Sequence, residues 1–182
     1  MLELILGGAR SGKSRLAEQQ AQASGLRLLY VATGQAGDGE MAQRIQHHQE
    51  RRGDEWQLVE EPIELAQVLQ QHATADTCIL VDCLTLWLSN CLFAGEEGDS
   101  SIWQTQRSAL LECLPTLPGH IIFVGNETGM GVVPMGEISR TFVDENGWLH
   151  QSLAQQCDRV TLTVAGLPHV LKESCVSKGE AN

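Results

Sequence analysis

The sequence predicts an α/β fold with a three-layer, mostly parallel sheet, and two observations carry that prediction. Short apolar runs alternate with helix-favouring stretches along the 182 residues, which is the pattern of βαβ units with right-handed crossovers. The length and the 42% hydrophobic content suit one domain with its own core. We therefore expect a single domain over residues 1–172 and a polar tail over residues 173–182.

The elements follow one another in a regular order. Apolar runs predict strands at 2–6, 28–31, 56–59, 77–82, 121–124, 159–164 and 169–171. Helices are predicted at 13–23, 40–52, 62–72, 84–92, 102–114 and 137–156. Pro62 suits a first helical turn, and Ser100 or Ser101 suits a helix cap. The acidic, glycine-rich segment 94–100 is expected to be a surface loop.

Charge and composition narrow the possible functions. Twelve Lys and Arg against 23 Asp and Glu give a formal charge of −11, which repels DNA and RNA, so nucleic acid is not an expected partner. No apolar run approaches the roughly 20 residues that span a bilayer, and no signal-peptide pattern opens the chain. We expect a cytoplasmic protein without a membrane span. The six cysteines lack C-x-x-C or zinc-like spacing and are expected to be buried and reduced.

A phosphate-binding loop of the pattern G-x-x-x-x-G-K-S directly follows the first strand. It consists of Gly7, Gly8, Ala9, Arg10, Ser11, Gly12, Lys13 and Ser14. The glycines let backbone N–H groups point at an anion, Lys13 can reach the outer phosphates, and the Ser14 hydroxyl can ligate Mg²⁺. A nucleoside triphosphate, ATP or GTP, is the predicted ligand. The alternative is a glycine-rich turn between a strand and a helix.

Other strand ends also carry polar residues, and open parallel sheets bind ligands at the carboxyl ends of their strands. Asp82 ends the strand 77–82 and is predicted to orient Mg²⁺, although an aspartate there is also an ordinary helix cap. Thr33, Gly34 and Gln35 follow the second strand and are predicted to contact the nucleotide. The glycine-rich segment 125–134 indicates close approach to a ligand or a neighbouring subunit, or equally a flexible loop.

The segment 44–52 concentrates two histidines and three arginines in an acidic chain. On a helix, Arg44, His48 and Arg52 share one face because they are spaced four residues apart. His48 lies at the edge of the buried face, whereas His47 points outward. Neighbouring cations keep an imidazole neutral, so His48 can attack phosphorus while guanidinium groups stabilise the developing charge. The alternative is a solvated helix face with incidental histidines.

At these residues the chain resembles the bifunctional adenosylcobinamide kinase / adenosylcobinamide-phosphate guanylyltransferases of cobalamin biosynthesis. The resemblance covers nearly the whole chain and rests on five motifs. They are the loop 7–14, Arg44-Ile45-x-x-His48 with Arg51 or Arg52 and then Trp56, Val59-Glu60-Glu61-Pro62, Asp82-Cys83-Leu84-Thr85, and Asn126-Glu127-x-Gly129-x-Gly131-x-Val133-Pro134. It implies a phosphate-loop NTPase fold of the RecA-like type.

The resemblance implies a reaction in two halves. A nucleoside triphosphate phosphorylates the aminopropanol hydroxyl of adenosylcobinamide, and GMP is then transferred from GTP onto adenosylcobinamide phosphate. The guanylylated histidine of the family falls on His48, which would attack the α-phosphorus of GTP and expel pyrophosphate. Lys13, Ser14 and Mg²⁺ would hold the pyrophosphate, with Asp82 orienting the metal. Because the corrinoid is large, we also expect a homo-oligomer, with a trimer as the candidate, whose subunit interface helps to bind it.

The predicted nucleotide-binding set is completed by Arg51, Arg52, Gly53, Asp54 and Glu60. Arg51 or Arg52 would offset phosphate charge, and the Glu60 carboxylate can accept from two adjacent guanine N–H groups, unless it is only a surface acid. The chain departs from the family pattern at three positions. It has Val143 where the family has arginine, His150 where the family has asparagine, and Gly53 where proline follows the arginine. No residue stands out as a base for the kinase half, for which positioning and electrostatics can suffice.

Two other functions are compatible with a phosphate loop. One is a plain small-molecule kinase in which the helix bearing His48 only clamps the substrate. The other is a nucleotide-dependent switch, which the lack of an N-K-x-D guanine signature disfavours. The nearest string, Asn126-Glu127-Thr128-Gly129, lacks both the lysine and the aspartate.

Overall fold

The structure, a computed structural model, describes residues 1–34, 55–96 and 98–174. Its strands are β1 (Leu2–Gly7), β2 (Arg27–Ala32), β3 (Trp56–Glu60), β4 (Thr77–Asp82), β5 (His120–Asn126), β6 (Arg159–Val164) and β7 (Leu167–Glu173). Its α-helices are α1 (Lys13–Ala23), α2 (Leu65–His72), α3 (Leu84–Leu92), α4 (Ser101–Cys113) and α5 (Glu137–Gln156). A short 3-10 helix at Leu114–Thr116 follows α4.

All seven strands form one sheet in the order β3-β2-β4-β5-β1-β6-β7. The first six are parallel to one another, and only β7 runs antiparallel, against β6. The mostly parallel sheet predicted from the sequence is confirmed. Strand β1 is internal, flanked by β5 and β6, so the residues that follow it lie within the carboxyl edge and not at either end of it.

Alternate residues of the central strands feed two separate cores, which makes the molecule three-layered. Leu4 and Leu6 of β1 belong to a core that includes buried residues of α2, α3, α4 and α5. Ile5, between them, belongs to the opposite core, which includes Ala17 and Ala21 of α1. Because side chains of a strand alternate between the faces of a sheet, one strand can bury residues in both layers.

Two tryptophans fix the helices of the larger core. The rings of Trp87 and Trp103 meet edge to face, with centroids 5.3 Å apart, a favoured aromatic geometry. Each indole N–H also finds an acceptor: Trp87 donates to the carbonyl of Ile63 at 2.7 Å, and Trp103 donates to Glu145 Oε2 at 2.7 Å. The buried rings therefore pack without leaving an unpaired donor, and they join α3, α4 and α5.

Most predicted elements are confirmed, and the differences have local causes. Helix α2 begins at Leu65 rather than at Pro62 because Glu61 Oε1 accepts the N–H groups of Ile63 and Glu64, both at 2.8 Å, and forms a turn there. Helix α4 follows Ser100, whose side chain makes no capping bond; Asp99 Oδ1 accepts the Ser101 N–H instead, at 2.8 Å. Strand β7 is longer than the predicted run. The predicted helix 40–52 lies outside the described residues.

The cysteines in the described part of the chain are buried and free, as predicted: Cys78, Cys83, Cys91, Cys113 and Cys157. Cys175 lies outside it. Burial is the main cause that raises the pKa of Cys83 to about 11 and of Cys91 and Cys157 to about 12. These thiols stay protonated, which suits packing and disfavours nucleophilic chemistry.

Among the described residues, no helix is both long and apolar enough to cross a membrane.

Candidate nucleotide site

The phosphate loop lies at the carboxyl edge of the sheet, between the end of β1 at Gly7 and the start of α1 at Lys13. Two residues of the loop have left-handed backbone, Arg10 with φ 56° and Gly12 with φ 96°. Glycine adopts this conformation without steric cost. Space also limits the side chain at Gly12, since an added Cβ would lie 3.1 Å from Gly166 Cα. The turn matches the anion-binding loop predicted from the motif.

Neighbouring elements hold the loop in place. The Gly166 N–H donates to the Ser11 carbonyl at 2.8 Å, and the Glu127 N–H donates to the Gly7 carbonyl at 3.1 Å. At Gly7 an added Cβ would collide with Ser11 Oγ and lie 2.6 Å from the Thr163 carbonyl oxygen. The Ser11 hydroxyl is buried and has no hydrogen-bond partner among the described residues. A buried hydroxyl without a partner inside such a loop fits a bound anion.

Lys13 points back across the loop rather than out into solvent. It is only 9% exposed, and its Nζ donates to the Gly8 carbonyl at 3.2 Å. No described carboxylate forms an ion pair with it. A buried charge without a counter-charge is energetically costly. An anion bound at the loop would reduce that cost by pairing with Lys13. Ser14 follows in the first turn of α1 and is half-buried.

Asp82 and Thr33 end two adjacent strands of the same edge. Asp82 closes β4 and is half-buried, with β5 between β4 and the loop-bearing β1. Thr33 is fully buried; its Oγ1 donates to the Cys83 carbonyl at 2.7 Å and accepts from the Cys83 N–H at 2.9 Å. The Thr33 side chain thus joins β2 to the start of α3. Gly34, the next residue, is half-buried.

Glu60 lies farther along the edge than the other predicted residues. It ends β3, the first strand of the sheet, and its side chain is exposed. Strands β2, β4 and β5 separate β3 from β1. At about 4.8 Å between neighbouring strands, the distance from β3 to β1 is roughly 19 Å.

The remaining predicted residues lie outside the described ranges: Gln35, His48, Arg51, Arg52, Gly53 and Asp54.

A polar cluster at the end of β5 was only partly foreseen from the sequence. Asn146 Nδ2, on α5, donates to the Asn126 carbonyl and to Thr128 Oγ1, both at 3.0 Å. The Asn126 N–H donates to Thr85 Oγ1 at 2.7 Å. The sequence indicated a role for the segment 125–134 and a departure from the family pattern at His150, but not the contact between that segment and α5. The signal for this contact was the spacing of Asn146 and His150, four residues apart on the face that buries Leu149 and Leu153.

His150 is the least expected member of this cluster. It is 5% exposed, and neither ring nitrogen has a hydrogen-bond partner among the described residues. Its Nδ1 lies 4.0 Å from Glu127 Oε2. Burial lowers the pKa of His150, against a smaller opposing effect of the Glu127 charge, so the imidazole is neutral. The ring also packs on Gly125, where an added Cβ would lie 2.7 Å from His150 Nε2.

Comparison with known proteins decides the family. Residues 3–171 match the model of the family described as cobinamide kinase / cobinamide phosphate guanyltransferase. The chain belongs to this family. It is therefore a bifunctional enzyme of cobalamin biosynthesis, with cobinamide kinase and cobinamide phosphate guanylyltransferase activities, as the sequence predicted.

Relatives match over nearly their whole length. The chain is 60% identical to the bifunctional adenosylcobalamin biosynthesis protein CobP of Pseudomonas aeruginosa, over 94% of this chain and 98% of that protein. It is 37% identical to the bifunctional adenosylcobalamin biosynthesis protein CobU of Salmonella typhimurium, over 92% and 97%. CobU of Escherichia coli is 36% identical over the same shares.

Solved structures are similar in fold alone. The structure of PH0250 from Pyrococcus horikoshii OT3 is 8% identical with a TM-score of 0.56, covering 94% of this chain and 86% of that one. The RadB recombinase structure is 17% identical with a TM-score of 0.48, covering 88% and 73%. In the structure of this chain, the phosphate-loop motif follows the internal strand β1 of a mostly parallel sheet, as predicted.

Proposed function

We propose that the loop 7–14 binds the nucleoside triphosphate, ATP or GTP, for both half-reactions. The observation that carries the proposal is Lys13, a buried ammonium with a carbonyl as its hydrogen-bond acceptor and no described counter-charge. A triphosphate on the loop would supply that counter-charge. The left-handed turn at Gly12 and the partnerless Ser11 hydroxyl support the same placement.

The residues of this edge also fit Mg²⁺. The ion prefers oxygen ligands and keeps contacts to substrate phosphates. The Ser14 hydroxyl and the Asp82 carboxylate are both half-buried and both belong to the carboxyl edge, so they are the residues that would hold it. Bound there, the ion would neutralise charge on the phosphates. Lys13 would bind the same phosphates as a fixed cation.

We further propose that His48 carries the GMP between GTP and cobinamide phosphate. The imidazole attacks the α-phosphorus of GTP, pyrophosphate leaves, and the substrate phosphate then takes the GMP from the phosphoramidate. Arg51 or Arg52 would offset charge, Glu60 would accept from the guanine, and Thr33, Gly34, Gln35, Gly53 and Asp54 would complete the nucleotide contacts. The position of Glu60 on β3 suits a base held far from the phosphates.

Labelling with GTP that carries radioactive phosphorus at the α-position tests this route. We expect acid-labile, base-stable label on the denatured wild-type protein and none on His48→Ala. His47→Ala is the matched control and should be labelled to within about twofold of wild type. A plain kinase would leave wild type unlabelled, and label that survives in His48→Ala would place the nucleophile elsewhere.

We propose that the chain forms a homo-oligomer, with a trimer as the candidate. Its subunit interface would help to bind the corrinoid substrates, adenosylcobinamide and its phosphate, which are large for a domain of this size. An exposed apolar stretch lies beside the nucleotide edge, where Met130, Val132, Val133 and Met135 are between 73% and 97% exposed. Contiguous exposed apolar surface marks interaction sites.

The reduced, buried cysteines support a cytoplasmic location.

A further inference from the structure

The two half-reactions differ in their need for a base. In the kinase half the acceptor is a hydroxyl, which must lose a proton as its oxygen bonds to phosphorus. In the guanylyl transfer the acceptor is a phosphate, which is already anionic at neutral pH. A general base is therefore most useful to the kinase half, in which an O–H bond must break, and no sequence motif identifies one.

The backbone of Glu127 is fixed directly beside the phosphate loop. Its N–H donates to the carbonyl of Gly7, the first residue of the loop, at 3.1 Å. The residues on either side are held by one side chain, since Asn146 Nδ2 donates to the Asn126 carbonyl and to Thr128 Oγ1. A catalytic group gains most from such support, because small misplacements cost rate.

The Glu127 carboxylate has one oxygen engaged and one available. Oε1 accepts the Gly129 N–H at 2.6 Å, which fixes the side chain. Oε2 makes no hydrogen bond to any residue in the described ranges, and the side chain is 21% exposed. The ring nitrogen 4.0 Å away is that of neutral His150. No cation in the described ranges forms an ion pair with the carboxylate.

The other described carboxylates that follow strands at this edge are less suited. Glu60 lies on β3, with three strands between it and β1. Glu61 already accepts two backbone N–H groups through Oε1. Asp82, on β4, has the proposed role toward Mg²⁺. Strand β5, which ends at Asn126 just before Glu127, is directly paired with β1.

We infer that Glu127 is the general base of the kinase half-reaction. The acceptor O–H bond of cobinamide breaks, and its oxygen bonds to the γ-phosphorus of the triphosphate. The bond from that phosphorus to the bridging oxygen breaks, and the nucleoside diphosphate leaves. The hydroxyl proton goes to Glu127 Oε2 and is lost to water after the products depart. The inference rests on the proposed binding of the triphosphate by the loop 7–14.

The test compares both half-reactions in one preparation of Glu127→Gln. Glutamine keeps an acceptor for the Gly129 N–H but cannot take the proton. We expect kcat for transfer of labelled γ-phosphate from ATP to cobinamide to fall by about 100-fold or more, with KM for ATP within about threefold. Self-labelling by α-labelled GTP should stay within about twofold of wild type. Glu137→Gln, which removes an exposed carboxylate from the first turn of α5, should leave both activities unchanged.

Two results would overturn the assignment. One is a Glu127→Gln kinase rate within about threefold of wild type. The other is a parallel loss of both half-reactions, which would show that Glu127 only supports the loop. An error in the proposed role of His48 would appear as missing label on wild type and would leave the kinase comparison intact.

Discussion

At the scale of single residues, one buried ionisable pair of the described ranges lies far from the nucleotide edge. His120 Nε2 lies 3.3 Å from Glu3 Oε1, and both side chains are largely buried at the amino ends of β5 and β1. Cys78 is the cross-strand neighbour of His120 on β4. Burial lowers the pKa of His120, but its interactions with Cys78 and Glu3 raise it more, to about 9. His120 is therefore charged in the folded protein at neutral pH.

This pair predicts a pH dependence of stability. The pKa of His120 is higher in the folded state, about 9, than the ordinary value of 6.5, so its contribution is complete below about pH 6.5 and is lost as pH rises through 9. Urea unfolding of wild type and His120→Gln at pH 6, 7.5 and 9.5 measures it. The difference in unfolding free energy should be largest at pH 6 and smallest at pH 9.5. A difference that grows with pH would contradict the pairing.

At the scale of elements, the sequence predicts those parts of the structure that are encoded locally. The apolar run from Leu2 to Leu6, the glycine-rich turn and the helix from Lys13 are contiguous in the chain. Their order can therefore be predicted from the sequence alone. Contacts between distant elements were not predictable in this way. The buried hydrogen bond of Thr33 to Cys83 and the partly buried one of Asn146 to the end of β5 depend on which elements become neighbours. No local pattern specifies that pairing.

The same limit applies to Glu127, which no local pattern identifies as a base. In the sequence it belongs to a glycine-rich segment, and its partners are not encoded locally. Its significance depends on two facts of tertiary structure, the pairing of β5 with β1 and the packing of α5 over the end of β5. The asparagine and the histidine of α5 are spaced for one helix face, but only the fold shows what that face meets.

At the scale of the whole molecule, one sheet brings the separate motifs to one edge. The phosphate loop, Asp82, Thr33 and Glu127 all follow parallel strands, so they gather at the carboxyl edge although they are distant in sequence. The exposed apolar segment that contains Val132 and Met135 continues from the same edge. In the proposed homo-oligomer, a partner subunit on this segment would lie close to the nucleotide edge and would help to enclose the corrinoid.

The oligomer proposal predicts an effect of charge at Met135, which is 96% exposed. Placing an aspartate in an apolar interface leaves it desolvated and unpaired, so Met135→Asp should lower the mass measured by light scattering to that of a smaller assembly. Glu112→Gln, on α4, is a surface control that should not change the mass. Wild type that runs as a monomer at every concentration, yet converts cobinamide, would contradict the proposal.

If a single phosphate loop serves both half-reactions, as proposed, Lys13→Ala should impair both. The change removes a charged hydrogen-bond donor worth about 2 to 3 kcal/mol to the bound phosphates. Calorimetric titration with ATP and with GTP should each show roughly 30- to 150-fold weaker binding, and both half-reactions should fall together. Arg15→Ala, an exposed cation in α1, is the control. Loss of one activity with the other intact would show that the two reactions use separate nucleotide sites.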